Sequence, residues 1–167
     1  MGFHCSHCGR HHDELPMAFA APAPDYWAPE FAADPASELT SDTCVIKGQA
    51  FFVHGLIEIP VVDSGEIFSW GVWVSLSQDN FTRALKLWDT PGREGEPAYF
   101  GWLSTELTLY SPTTINLRTN LHTRPVGERP SIELEPTDHP LAVEQRSGIT
   151  RARVQQIAET LLHPEAR

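Results

Sequence analysis

The opening residues concentrate most of this chain's metal-ligating chemistry. Cys5-Ser6-His7-Cys8 is a CxxC, and His4, His7, His11 and His12 crowd around it. Two thiolates at this spacing reach one ion from a tight turn, and Gly9 supplies the backbone freedom such a knuckle uses. Half of a tetrahedral zinc site is thus present in one short segment. Any of the neighbouring imidazoles can give a third donor, with His12 the preferred one. The remaining cysteine, Cys44, beside the first expected strand, can complete a Cys₃His set. The expected ligands are therefore Cys5, Cys8, His12 and Cys44, and the expected cofactor is a structural Zn²⁺, because four protein donors leave no open position for water. Two other readings of the CxxC stay open. One is a thioredoxin-like redox pair, for which the usual preceding strand is missing; the other is a set of unrelated thiols.

A second density of ionisable groups lies in the final third: Arg118, His122, Arg124, Asp138, His139 and Glu144. His139 could act as a general base oriented by Asp138, with His122 nearby and Arg118 or Arg124 holding an anionic substrate. The competing reading of Thr137-Asp138-His139-Pro140 is an Asx turn before proline with a hydrogen-bonded structural histidine. His54, next to Gly55, reads as a packed or exposed strand residue. The chain contains no GxSxG, GxxxxGK[ST], HExxH or GxGxxG signature.

These groups must be positioned by the elements between them. Pro22, Pro24, Pro29 and Pro35 break residues 20–43 into an extended segment whose Tyr26, Trp27 and Phe31 favour docking over floating. Residues 45–53 and 56–62 read as strands, with Pro60 at an edge or strand end. Phe68, Trp70, Val72, Val74 and Leu76 alternate with smaller or polar residues, the period of a strand with one buried face. That pattern puts Trp70 in the core and leaves Trp73 on the open face; Trp102 is a second open candidate. A hairpin between residues 51–62 and 67–76 follows. Ser77 should cap a helix reaching about Trp88, which is placed on its buried side. Shorter strands are expected at 99–103, 114–122 and 131–134. Thr150 should cap a terminal helix, with Val154, Ile157, Ala158 and Leu161 as its apolar stripe, ended by His163 and Pro164. The fold class expected is α+β: a mainly antiparallel sheet packed by two helices, with a zinc-knuckle-like N-terminal arm.

At 167 residues the chain fits one domain, 1–167, in which a metal-binding, proline-rich arm (1–44) packs on an α+β core (45–163). A net charge of −10 argues against nucleic acid as a partner. No apolar run approaches the roughly 20 residues of a membrane span. Residues 1–10 lack the apolar stretch of a secretory signal, so a cytoplasmic location is the default.

The chain resembles the uncharacterised bacterial family DUF2199. The likeness is carried by Cys5-Ser6-His7-Cys8-Gly9 with His12 and Leu15-Pro16, by Ser41-Asp42-Thr43-Cys44-Val45-Ile46 and Phe51-Phe52-Val53, and by the run Phe68 to Leu76. Tyr99 to Leu103 and Asp138 to Ala142 extend it over nearly the whole chain. The resemblance implies that the three cysteines belong to one pattern, which supports joint ligation; His54 departs from it. It transfers no activity. The leading functional expectation is a zinc-stabilised binding or regulatory protein, immunity- or adaptor-like, whose partner is another protein. The alternatives are a hydrolase or transferase built on the His139 group, and metal trafficking by the Cys/His cluster itself.

Overall fold

The computed structural model describes residues 2–163. It opens with a two-stranded ribbon, β1 (Phe3–His4) and β2 (His11–His12). The other strands share one sheet: β3 (Ala18–Ala20), β4 (Glu38–Leu39), β5 (Thr43–Ile46), β6 (Ala50–Pro60), β7 (Ile67–Leu76), β8 (Tyr99–Leu103), β9 (Arg118–His122) and β10 (Ser131–Leu134). The helices are α1 (Gln78–Lys86), α2 (Pro140–Ser147) and α3 (Arg151–Leu162). The class is α+β, but with three α-helices among the described residues where the sequence suggested two, and with a sheet that closes on itself.

Closure follows from the hairpin connections. The strands β6 to β10 form a meander in which each is antiparallel to the next, and β10 returns to pair with β6. In a five-strand meander the first and last strands run the same way, so the seam must be parallel, and it is, at Ser131 and Leu56. Glycine makes the tight passage possible. A Cβ on Gly55 would stand 2.7 Å from the Ile132 side chain and 3.0 Å from the Pro130 carbonyl oxygen.

The inward series from these strands, including Val53, Ile57, Ile59, Phe68, Trp70, Val72, Val74, Leu103, Leu121 and Ile132, forms the main core with Phe81 of α1, Leu141 of α2 and Val154 and Ile157 of α3. The caps follow ordinary rules. Ser77 Oγ accepts from the Asn80 N–H at 3.1 Å, and Thr150 Oγ1 accepts from the Arg153 N–H at 3.2 Å, as the sequence predicts. Pro164, expected beyond the last helix, lies outside the described residues.

Three local expectations are corrected. The strand expected over residues 45–53 breaks at Lys47 and Gly48, whose positive φ values turn β5 back onto β6. The strand expected over 114–122 begins only at Arg118. Trp73 is fully buried, because β7 is covered on both faces. Its outer face carries a second apolar cluster in which Trp73 meets Cys44, Ile46 and Phe52, roofed by Ala21, Trp27, Phe31 and Leu39 of the proline-rich segment. Trp73 Nε1 donates to the Ala21 carbonyl oxygen at 2.9 Å.

His54 sits under the same roof. Its ring stacks on Trp73 with centroids 4.9 Å apart, and Nδ1 lies 3.1 Å from the Ser41 carbonyl oxygen, while Nε2 has no hydrogen-bond partner. Burial foremost, with the nearby Arg129 charge, pushes this imidazole below its ordinary value. The folded protein therefore holds His54 neutral where the unfolded chain would take up a proton. The unfolded state binds more protons, so stability is lost as pH falls below the unfolded value of about 6.5, down to the folded value. Replacing His54 with phenylalanine should flatten this part of the pH dependence, read as melting temperature at a series of pH values from neutral to mildly acidic.

Candidate metal centre

The knuckle is the loop between β1 and β2. The Cys5 N–H donates to the Arg10 carbonyl at 2.9 Å, the Gly9 N–H donates to the Cys5 carbonyl at 3.0 Å, and Gly9 has φ +70. This ties residues 5–10 into a compact turn that aims both thiols the same way. The β1/β2 pairing sets Phe3 against His12, and their rings stack with centroids 5.0 Å apart, which fixes the His12 imidazole beside the turn.

The other half of the site comes from the far end of α3. Gln155, Glu159 and His163 recur at four-residue intervals, so they stand above one another on one helical face. Gln155 Nε2 donates to the His4 carbonyl at 2.9 Å, and Glu159 Oε2 accepts from the Ser6 N–H at 2.5 Å. Burial works against the charge on Glu159, yet the Ser6 contacts, Gln155 and the neighbouring His7 hold its carboxyl below the ordinary value. An ionised Glu159 is the right acceptor for a knuckle N–H. One turn further on, His163 Nε2 lies 3.3 Å from Cys5 Sγ. Across the site, His12 Nε2 lies 3.4 Å from Cys8 Sγ.

One donor atom from each of Cys5, Cys8, His12 and His163 falls within 4.8 Å of all the others. These four residues lie close enough to bind one metal ion. A tetrahedral first-row ion with metal–sulfur bonds of about 2.3 Å and metal–nitrogen bonds of about 2.0–2.1 Å separates its ligand atoms by roughly 3.3–3.8 Å. The two sulfur–nitrogen separations above match that edge length. Cys5 is buried, Cys8 is exposed, and the imidazoles are half-buried.

A family model described as an uncharacterized protein conserved in bacteria, DUF2199, matches residues 4–149. The chain belongs to that family. No curated protein and no solved structure matches it. Three of the four donors lie inside the part of the chain that DUF2199 covers, and His163 lies beyond it.

Within this DUF2199 chain, Cys44 is not among the converging donors. It is buried in the second apolar cluster against Trp73 and Phe52, and desolvation there pushes its thiol up to about 11, so it stays protonated. His163 joins Cys5, Cys8 and His12 in the converging group instead. Nothing near His163 in sequence pointed to it; the signal was the four-residue spacing of Gln155, Glu159 and His163, which gains meaning only once the helix is known to pass the knuckle. His4, His7 and His11 are exposed and contribute no atom to the group.

The residues of the second candidate site are placed differently. His139 caps α2, a helix that the sequence reading did not anticipate and that Pro140 opens. His139 Nδ1 accepts from the Leu141 N–H at 3.1 Å, so Nε2 carries the proton and donates to the Pro112 carbonyl at 2.8 Å. Neither ring nitrogen is free to take a proton from a substrate. Asp138 is exposed and makes no hydrogen bond to that ring. His122 pairs with Glu133 at 2.9 Å on the exposed outside of the barrel, and Arg124 pairs with Glu58. Glu144 accepts from the Tyr110 hydroxyl at 2.6 Å and from Arg153 Nε at 2.8 Å, which ties α2 to α3. Arg118 lies over the rings of Phe100 and Trp102. Among the described residues, no helix is long and apolar enough to cross a membrane.

Proposed function

We propose that this protein is a zinc-stapled binding protein: Cys5, Cys8, His12 and His163 hold one structural Zn²⁺, and the barrel surface recognises a partner protein. The observation that carries this reading is the completeness of the donor set. Four protein ligands saturate a tetrahedral ion and leave no position for an activated water, which suits a staple and does not suit hydrolysis. Two thiolates with two imidazoles, at tetrahedral spacing, favour zinc over harder cations such as magnesium or calcium.

The outer face of the barrel supplies the recognition surface. Its half over β5, β6 and β7 is roofed by the proline-rich segment, whereas Phe100 and Trp102 of β8 stay open to solvent. These two are 37 % and 40 % exposed, their rings meet edge to face at 4.9 Å, and Arg118 stacks over both. Trp and Arg are the types that dominate binding energy in protein interfaces. The overall charge of −10 suits a partner with a basic surface and opposes nucleic acid. The test is recovery of a stoichiometric partner from lysate by wild type and by Trp102→Ala at several salt concentrations. Recovery that weakens with salt and is lost in the variant supports the reading. Recovery of nothing, or of the same protein by both, overturns it.

Metal trafficking is a second reading, favoured by the exposure of Cys8 at the rim of the site. It predicts that the ion exchanges with a chelator while melting temperature and spectra stay unchanged. A staple predicts that the two losses occur together.

A further inference from the structure

A cavity of about 150 Å³ opens where α1 crosses the mouth of the barrel. Its floor is apolar and belongs to the core: Val53 of β6, Tyr99 of β8 and Leu121 of β9. Ala84 of α1, with Leu87 and Trp88 just beyond it, forms one wall, and the loop of residues 123–130 forms the lip. The mouth of a β-barrel is a usual place for a small-molecule site.

The lip is built, not slack. Arg93 donates from Nε to the Arg124 carbonyl at 2.7 Å, from Nη1 to the Trp88 carbonyl at 3.0 Å, and from Nη2 to the Pro125 and Glu128 carbonyls at 3.1 and 3.0 Å. One guanidinium thus fastens the loop to the end of α1 and sets the shape of the opening in advance of any ligand. Preorganisation of this kind lowers the cost of binding.

The rim is rich in arginine on an acidic protein. Arg93, Arg124 and Arg129 line the cavity against the carboxylates of Asp42 and Glu128. Arg93 is spent on carbonyls, but Arg124 and Arg129 are not. Each is held by one donor atom, Arg124 Nη2 on Glu58 and Arg129 Nε on Asp42, the latter at 2.9 Å. A guanidinium has five N–H donors, so each keeps a fork with which to grip a carboxylate. Size also selects a ligand, since the whole cavity, at about 150 Å³, has the volume that a benzene ring fills.

We propose that this cavity binds a small organic acid, with an apolar body of about one six-membered ring on Val53, Leu87, Trp88 and Leu121 and its carboxylate on Arg124 and Arg129. This site is separate from both the metal centre and the Phe100–Trp102 surface, so it stands or falls independently of the function proposed above.

The test is calorimetric titration of the full-length protein with benzoate, benzyl alcohol and benzylammonium. Benzoate should saturate one site with a Kd of about 1 mM or tighter, and benzyl alcohol should bind at least about tenfold more weakly. Benzylammonium should not bind. Arg124→Gln should raise the benzoate Kd about tenfold or more, and Ala84→Phe, which fills the cavity, should abolish binding while leaving the melting temperature unchanged or higher. Failure of benzoate to saturate, equal binding of the alcohol, or benzoate binding unaltered by Ala84→Phe would each overturn the proposal. If Ala84→Phe fails to fold, the comparison of the three ligands and the Arg124→Gln result decide it.

Discussion

Cys8→Ser should release the metal ion and lower the melting temperature by about 8–16 °C. Cys8 is exposed, so the substitution itself costs little packing, and the loss reports the ion. An ion present at about a thousand times its dissociation constant stabilises the folded state by about 4 kcal/mol. For a chain of this size, each kcal/mol is worth about 2–4 °C. His163→Gln should do the same, because it removes one of four donors and frees the end of α3 from the knuckle. Cys44→Ser is the informative contrast. It places a hydroxyl in an apolar cluster and should cost about 1–3 kcal/mol, yet it should leave one metal per chain. Elemental analysis of the three variants with parallel melting curves separates these outcomes. Metal lost on Cys44→Ser but retained on His163→Gln would refute the donor set described here.

Gly55→Val should destabilise the protein by about 3 kcal/mol or more, the upper part of the range for overpacking. The added Cβ alone falls 2.7 Å from Ile132 and 3.0 Å from the Pro130 carbonyl oxygen, and backbone cannot yield as a flexible side chain can. The seam between β6 and β10 rests on the Leu56 and Ser131 register and on the Leu56 N–H donating to the Pro130 carbonyl at 2.9 Å. A wedge there should open the barrel and not merely strain it. Denaturant unfolding would show the loss of stability, and hydrogen exchange should rise first along β10. A variant as stable as wild type would mean that the seam has slack that the contact distances deny.

The legible parts of this fold were those that local pattern determines. The alternation from Phe68 to Leu76 identified β7, and the hydroxyls of Ser77 and Thr150 located two helix starts, because capping and pleating act within a few residues. The CxxC and His12 were legible for the same reason, since three donors come from one short ribbon. What stayed hidden depends on contacts between distant segments. Trp73 alternates like an exposed residue and is buried only because the proline-rich segment covers it. Closure of the sheet turns on the return of β10 to β6, which no local periodicity encodes. His163 and Cys44 exchanged places for a related reason: spacing along the chain favoured a cysteine at a strand, whereas three-dimensional proximity belongs to a histidine at a helix end. The short α2 was missed because Asp138-His139-Pro140 suits an isolated turn as well as it suits a helix start.

The parallel seam also orders the assembly of the molecule. The β6/β7 hairpin, with its long unbroken register, closes a short loop and has little entropy to overcome, whereas β7 reaches β8 only through α1. The join of β10 to β6 spans the whole meander in sequence, and contacts of such separation form slowly. Until then β10, and β6 beyond its pairing with β5, offer unpaired backbone groups to any neighbouring chain. The closure that builds the core is therefore also the pairing that covers these edges and shuts this route to strand exchange between molecules.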